Sequence, residues 1–138
     1  MAVISEIIVA NPGGSLSFGD YSVSEKKKVN DYEVDGDIYK IKTHDQVTRL
    51  EKNGKLFLET VPGATIHNLS MDDRLVCFEA EGRDDTMITL ELEPEMGYVM
   101  RIDGKEVGDI VSSMSGKVNF SMELTSAPQT VRIQKKGE

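Results

Sequence analysis

The chain has 138 residues, with 16 Lys and Arg against 24 Asp and Glu and a formal net charge of −8. That balance, with Lys26-Lys27-Lys28 as its only run of three cations, argues against non-specific binding to nucleic acid or to an acidic membrane surface, because neutralising phosphates takes clustered Lys and Arg. The single cysteine, Cys77, cannot form an internal disulfide, so the fold must rest on an apolar core, which one domain over 1–138 is long enough to supply.

The opening MAVISEIIVANPGG holds a short apolar run interrupted by Glu6, with no cationic segment before it. It reads as a first strand, not as a signal peptide. No stretch approaches the roughly 20 apolar residues of a membrane helix. The expected address is cytoplasmic, with a mature secreted chain as the alternative.

In chain order, Ile7 to Ala10 predicts a strand stopped by Asn11-Pro12-Gly13-Gly14. Ser15 to Phe18 predicts a second, with Leu16 and Phe18 inward. Residues 22–31 are ambiguous. Ser22-x-x-Glu25 has capping-box spacing and favours a loop or short helix, while the alternative is an edge strand whose lysines discourage pairing with other chains.

Asp35-Gly36 suits a two-residue hairpin turn, since both central positions need φ > 0. Pairing outward places Tyr32 opposite Tyr39 and Asp31 opposite Lys40. Asn53-Gly54 predicts a second hairpin, 47–52 against 55–60. A helix over 43–53, capped at Thr43-x-x-Gln46 and stopped by Gly54, is its rival. Leu56-Phe57-Leu58 suggests a strand buried on both faces or touching a partner.

Ala64 to Leu69 and Leu75 to Ala80 flank Met71-Asp72-Asp73, and a loop follows over 81–85, where a subdivision near residue 83 is conceivable. From Ile88 to Ile133 the alternation is sustained. Ile88, Leu90 and Leu92 face inward, then Tyr98, Met100 and Ile102. A third hairpin at Asp103-Gly104 sets Met100 against Val107 and Arg101 against Glu106, with a bulge at Gly108. Val118, Phe120, Met122 and Leu124 form the cleanest alternation, and Val131 with Ile133 closes the sheet. The prediction is an all-β chain: a single antiparallel two-sheet β-sandwich, jelly-roll-like, of roughly ten to twelve short strands.

Chemistry is sparse in the sequence. Cys77, within Leu75-Val76-Cys77-Phe78, reads as a small buried hydrophobe with no histidine placed beside it. His44 and His67 stand alone, outside any metal-ligand spacing. Asp72-Asp73 and Asp84-Asp85 lie in loops without the spaced pattern of a Ca²⁺ site. Tyr21 is the one aromatic left without a paired or inward position. Tyr21, His44, His67, Asp84 and Asp85 are therefore the candidate binding-surface residues, with no catalytic set and no cofactor expected.

The run Tyr98-x-Met100-x-Ile102-Asp103-Gly104, followed by Gly116-Lys117-Val118-x-Phe120-x-Met122-x-Leu124 and Val131-x-Ile133, is similar to the C-terminal β-sandwich modules of bacterial polysaccharide-degrading enzymes. It covers about the last third of the chain. The resemblance implies a sandwich fold and, as a second possibility, carbohydrate recognition. More loosely, the whole chain resembles small proteins of anaerobic Clostridia-type bacteria labelled endosialidase. No arginine cluster of the sialic-acid-binding kind can be matched, so no catalytic residue is carried over. The expected function is a non-enzymatic module acting by protein contact or self-association, with glycan binding as the alternative.

Overall fold

The computed structural model describes residues 7–72 and 74–136. Every regular element among them is a strand. In chain order these are β1 (Ile8–Ala10), β2 (Leu16–Phe18), β3 (Lys27–Val34), β4 (Asp37–Thr43), β5 (Thr48–Lys52), β6 (Lys55–Val61) and β7 (Thr65–Met71). There follow β8 (Leu75–Glu81), β9 (Asp85–Glu91), β10 (Gly97–Ile102), β11 (Lys105–Val111), β12 (Lys117–Glu123) and β13 (Gln129–Lys135). There are 13 strands rather than the ten to twelve expected, and the two short arms expected at the start, β1 and β2, pair with each other. The opening residues 1–6 and Asp73 of the Met71-Asp72-Asp73 turn lie outside the described residues.

All pairings are antiparallel, in a seven-stranded sheet ordered β1-β2-β7-β8-β13-β10-β11 and a six-stranded sheet ordered β12-β9-β6-β5-β4-β3. Around the turn at Asp103 the pairs nest: β10 with β11 in one sheet, β9 with β12 in the other, β8 with β13 back in the first. A long hairpin is thus wound from sheet to sheet. A second nest, β7 with β8 and β6 with β9, surrounds the turn before Leu75.

One buried apolar cluster draws on both sheets. Phe18, Ile66, Phe78 and Ile133 enter it from the seven-stranded sheet, and Ile41, Leu50, Leu58 and Leu90 from the six-stranded one. Each such side chain contributes about 1.5–3 kcal/mol relative to exposure. Val118, Phe120, Met122 and Leu124 are all buried as the alternation requires.

The three predicted hairpin turns form with both central residues at positive φ: Asp35 and Gly36, Asn53 and Gly54, Asp103 and Gly104. Tyr32 does face Tyr39. The expected Asp31–Lys40 pair does not form, because the register shifts between Val29 and Tyr32 and Asp31 takes φ 59°. That is a bulge, two residues opposing one. Likewise Met100 pairs with Gly108, not Val107, and the bulge leaves Val107 50% exposed. Arg101 faces Glu106 as expected.

Residues 22–31 hold no helix. Lys27, Lys28 and Val29 pair with Thr43, Lys42 and Ile41 at the sheet edge. Ser22 caps nothing: its N–H and Oγ both bond Asp20 Oδ1, at 2.9 and 2.5 Å, closing a turn. Residues 43–53 form the turn and strand β5 of the second hairpin, as the sheet reading required.

Candidate functional site

Strand β8 turns Val76, Phe78 and Ala80 into the core, and Cys77, Glu79 and Glu81 to the opposite face. Glu81 nevertheless has 0% exposure. It is covered by the segment between β2 and β3, which crosses from one sheet to the other at this end. Tyr21 O–H donates to Glu81 Oε2 at 3.0 Å, and His67 Nε2 lies 2.7 Å from Glu81 Oε1. The Arg83 guanidinium stands 5.6 Å from the centre of the Tyr21 ring. A buried carboxylate is tolerated only with such partners. Burial, then the hydrogen bond to Glu81 and its negative charge, raises the Tyr21 pKa above 10.0.

The covering segment is fixed by a polar seam. Thr65 Oγ1 donates to Gly19 C=O at 3.2 Å, Asp20 N–H to Thr43 Oγ1 at 2.9 Å, and Asp45 N–H to Val23 C=O at 2.8 Å. Thr48 Oγ1 donates to Ala64 C=O at 2.8 Å, accepts from Ala64 N–H at 3.1 Å and lies 2.8 Å from Thr43 Oγ1. The segment passes so close that a Cβ on Gly19 would lie 2.4 Å from the Ala64 carbonyl oxygen.

Of the five candidates, the structure brings Tyr21 and His67 together on Glu81. Tyr21 is therefore engaged and half-buried, not a free aromatic platform. His44 sits in the turn before β5, its Nδ1 3.4 Å from Asp45 Oδ1. Asp84 and Asp85 are exposed, and Asp85 opens β9 opposite Glu123. Cys77 is half-buried between Ser70 and Arg132 rather than in the core, since Val76 and Phe78 hold the inward phase. Among the described residues no three His, Cys, Asp or Glu side chains are grouped to hold a metal.

Sequence reasoning missed Glu81 and Arg83. The available signal was phase: Glu81 continues the outward series Cys77, Glu79, and the β7–β8 hairpin sets it diagonal to His67.

Among the surface depressions elsewhere, two border the six-stranded sheet. On the outer face of the six-stranded sheet a groove of about 640 Å³ runs beside Arg49, Lys55, Glu91, Lys117 and Asn119. Arg49 is held there by Glu51 and Glu59, each at 3.1 Å. A second, of about 750 Å³, opens between β11 and β12, the end strands of the two sheets, and is lined by Met100, Ile102, Val107 and Met122. The exposed Val111 and Met114 flank it in sequence.

No family model, curated protein or solved structure matches this chain. No helix among the described residues is long and apolar enough to cross a membrane.

Proposed function

We propose that the protein is a non-catalytic β-sandwich of jelly-roll-like wrapping that acts by protein contact, through the flank between β11 and β12. The nested pairings and the core shared by both sheets support the fold reading. The observation that carries the function is the groove on that flank, where Met100, Ile102 and Met122 stand behind the half-exposed Val107 beside the polar Asp103, Ser121, Glu123 and Gln129. Methionine side chains adapt to varied partners, and exposed apolar surface at a sheet end marks contact sites. The Tyr21–Glu81–His67 set supports the non-catalytic part of the reading, because Glu81 is sealed from any substrate and serves to pin a crossing segment. The test is a photo-reactive residue at position 107, with position 40 on the outer face as control. Position 107 should cross-link to protein in native cells, and cross-linking equal to that at 40 would overturn the reading.

A second reading, glycan recognition, is favoured by the Arg49 groove, whose fixed guanidinium, carboxylates and Asn119 amide are groups that bind sugar hydroxyls. It accords with the resemblance to modules of polysaccharide-degrading enzymes and to proteins labelled endosialidase. A glycan array decides it: binding lost in Arg49→Ala supports it, and silence removes it.

A further inference from the structure

We infer that Asn53 is a covalent modification site: the Gly54 nitrogen converts its side-chain amide to aspartate and isoaspartate, and hydrogen bonds to Ile38 and Asp37 restrain that reaction in the folded chain. The inference stands apart from the contact and glycan readings.

The chain has five asparagines, and Asn53 is the one followed by glycine. The others precede Pro12, Asp31, Leu69 and Phe120. Attack on the side-chain carbonyl carbon comes from the next residue's backbone nitrogen. Proline has no N–H to give up, and a side chain on that residue obstructs the approach. Gly54 presents neither obstacle, since even a Cβ built on it would have nothing within 4 Å. Asn53 and Gly54 are both exposed at the tip of the β5–β6 hairpin. Lys52 and Lys55 face each other across its base, and nearby cations favour the nitrogen anion that attacks.

The Gly54 nitrogen loses its proton to a solvent base and bonds to Asn53 Cγ. The Cγ–Nδ2 bond breaks, and Nδ2 leaves as ammonia. Water then opens the resulting succinimide at either carbonyl. One opening restores the main chain with an aspartate side chain; the other routes the main chain through Cγ as isoaspartate. The turns at Asp35-Gly36 and Asp103-Gly104 start from carboxylates, which are far poorer electrophiles than an amide.

The fold holds this step back. Ile38 N–H donates to Asn53 Oδ1 at 2.9 Å, Asn53 Nδ2 donates to Asp37 Oδ1 at 3.0 Å, and Asn53 N–H donates to Ile38 C=O at 2.7 Å. The side chain thereby extends the β4–β5 ladder beyond the Tyr39–Lys52 pair. To bring Cγ over the Gly54 nitrogen it must give up both of its bonds, so the rate follows local opening of this corner. The product does not fit back. A carboxylate oxygen replaces the Nδ2 donor opposite Asp37, whose cationic neighbour is Lys52 at 3.7 Å. Like charges so close are unfavourable, and isoaspartate adds a main-chain carbon to a turn built for two residues. Modification therefore loosens the end of β4 from β5.

The test incubates the full chain near neutral pH, follows every asparagine-containing peptide by mass spectrometry and reads isoaspartate with an isoaspartyl methyltransferase. Asn53 should convert ahead of the other asparagines, and faster in urea than in buffer. Asp37→Ala should speed conversion in buffer about fivefold, the effect of one lost hydrogen bond, and leave the rate in urea unchanged. Asp37→Asn keeps an acceptor at that position and should stay near the wild-type rate. Circular dichroism checks folding, and if Asp37→Ala unfolds, the wild-type rates in buffer and urea carry the test. An Asn53 that stays intact in buffer, earlier conversion of another asparagine, equal wild-type rates in buffer and urea, or a folded Asp37→Ala no faster than wild type overturns the inference.

Discussion

Tyr21 and Glu81 lie 60 positions apart, and the Tyr21 hydroxyl donates to Glu81 Oε2 across 3.0 Å in a covered patch on the outer side of the seven-stranded sheet. With His67 at 2.7 Å on the other oxygen, the carboxylate ties the segment crossing between sheets to β7 and to the C-terminal end of β8.

Glu81→Ala removes that tie and leaves two polar side chains partnerless in a covered site. A loss of about 2–4 kcal/mol is expected, with Tyr21→Phe costing about 1 kcal/mol. Urea unfolding measures both, and equal effects from the two variants would contradict the arrangement.

The alkaline limb of stability should carry a Tyr21 component. Its folded pKa lies above the ordinary 10.0, through burial first and Glu81 second. The contribution is therefore intact below pH 10 and is lost as pH rises through the folded value. Tyr39 is also raised, by burial and then by Asp37 and Asp35. Tyr21→Phe should remove part of the alkaline transition seen in pH-dependent melts, and Tyr39→Phe a further part.

Two buried threonines should respond in opposite directions to replacement by valine. Thr48 Oγ1 serves both backbone groups of Ala64, so Thr48→Val should cost about 1–3 kcal/mol. Among the described residues Thr60 Oγ1 is the buried side-chain polar atom without a hydrogen-bond partner. Thr60→Val should leave stability unchanged or raise it by about 1 kcal/mol. Thermal melts compare them directly.

Alanine at Gly19 meets the Ala64 carbonyl at 2.4 Å as well as an unfavourable φ of +93°, whereas at Gly36 it meets only the φ of +86° in open space. Gly36→Ala should cost about 1–2 kcal/mol and Gly19→Ala distinctly more, by denaturant midpoint. Similar costs would show that backbone angle alone governs Gly19.

What the sequence made legible was local. Asp35-Gly36, Asn53-Gly54 and Asp103-Gly104 each encode their own turn, and the period-two pattern from Val118 to Leu124 encodes its buried face. The bulges were not legible. Whether Asp31 or Val107 is expelled depends on how the neighbouring strands twist, and neither residue type announces it. The lysines over 26–28 concealed β3, because solvent-facing edge positions tolerate the residues a short helix also uses. Glu81 was missed for a different reason: its cover comes from Tyr21, and only the three-dimensional crossing brings the two together.

The late strand β13 sits between β8 and β10, so it alone joins the two parts of the seven-stranded sheet. A chain emerging from the ribosome cannot complete that sheet until residues Gln129–Lys135 have been translated. Any product cut short before Gln129 presents two long unsatisfied strand edges at once, the state that chaperones retain and proteases remove. Translation of Gln129–Lys135 thus decides whether the seven-stranded sheet closes or leaves the edges of β8 and β10 open to quality control.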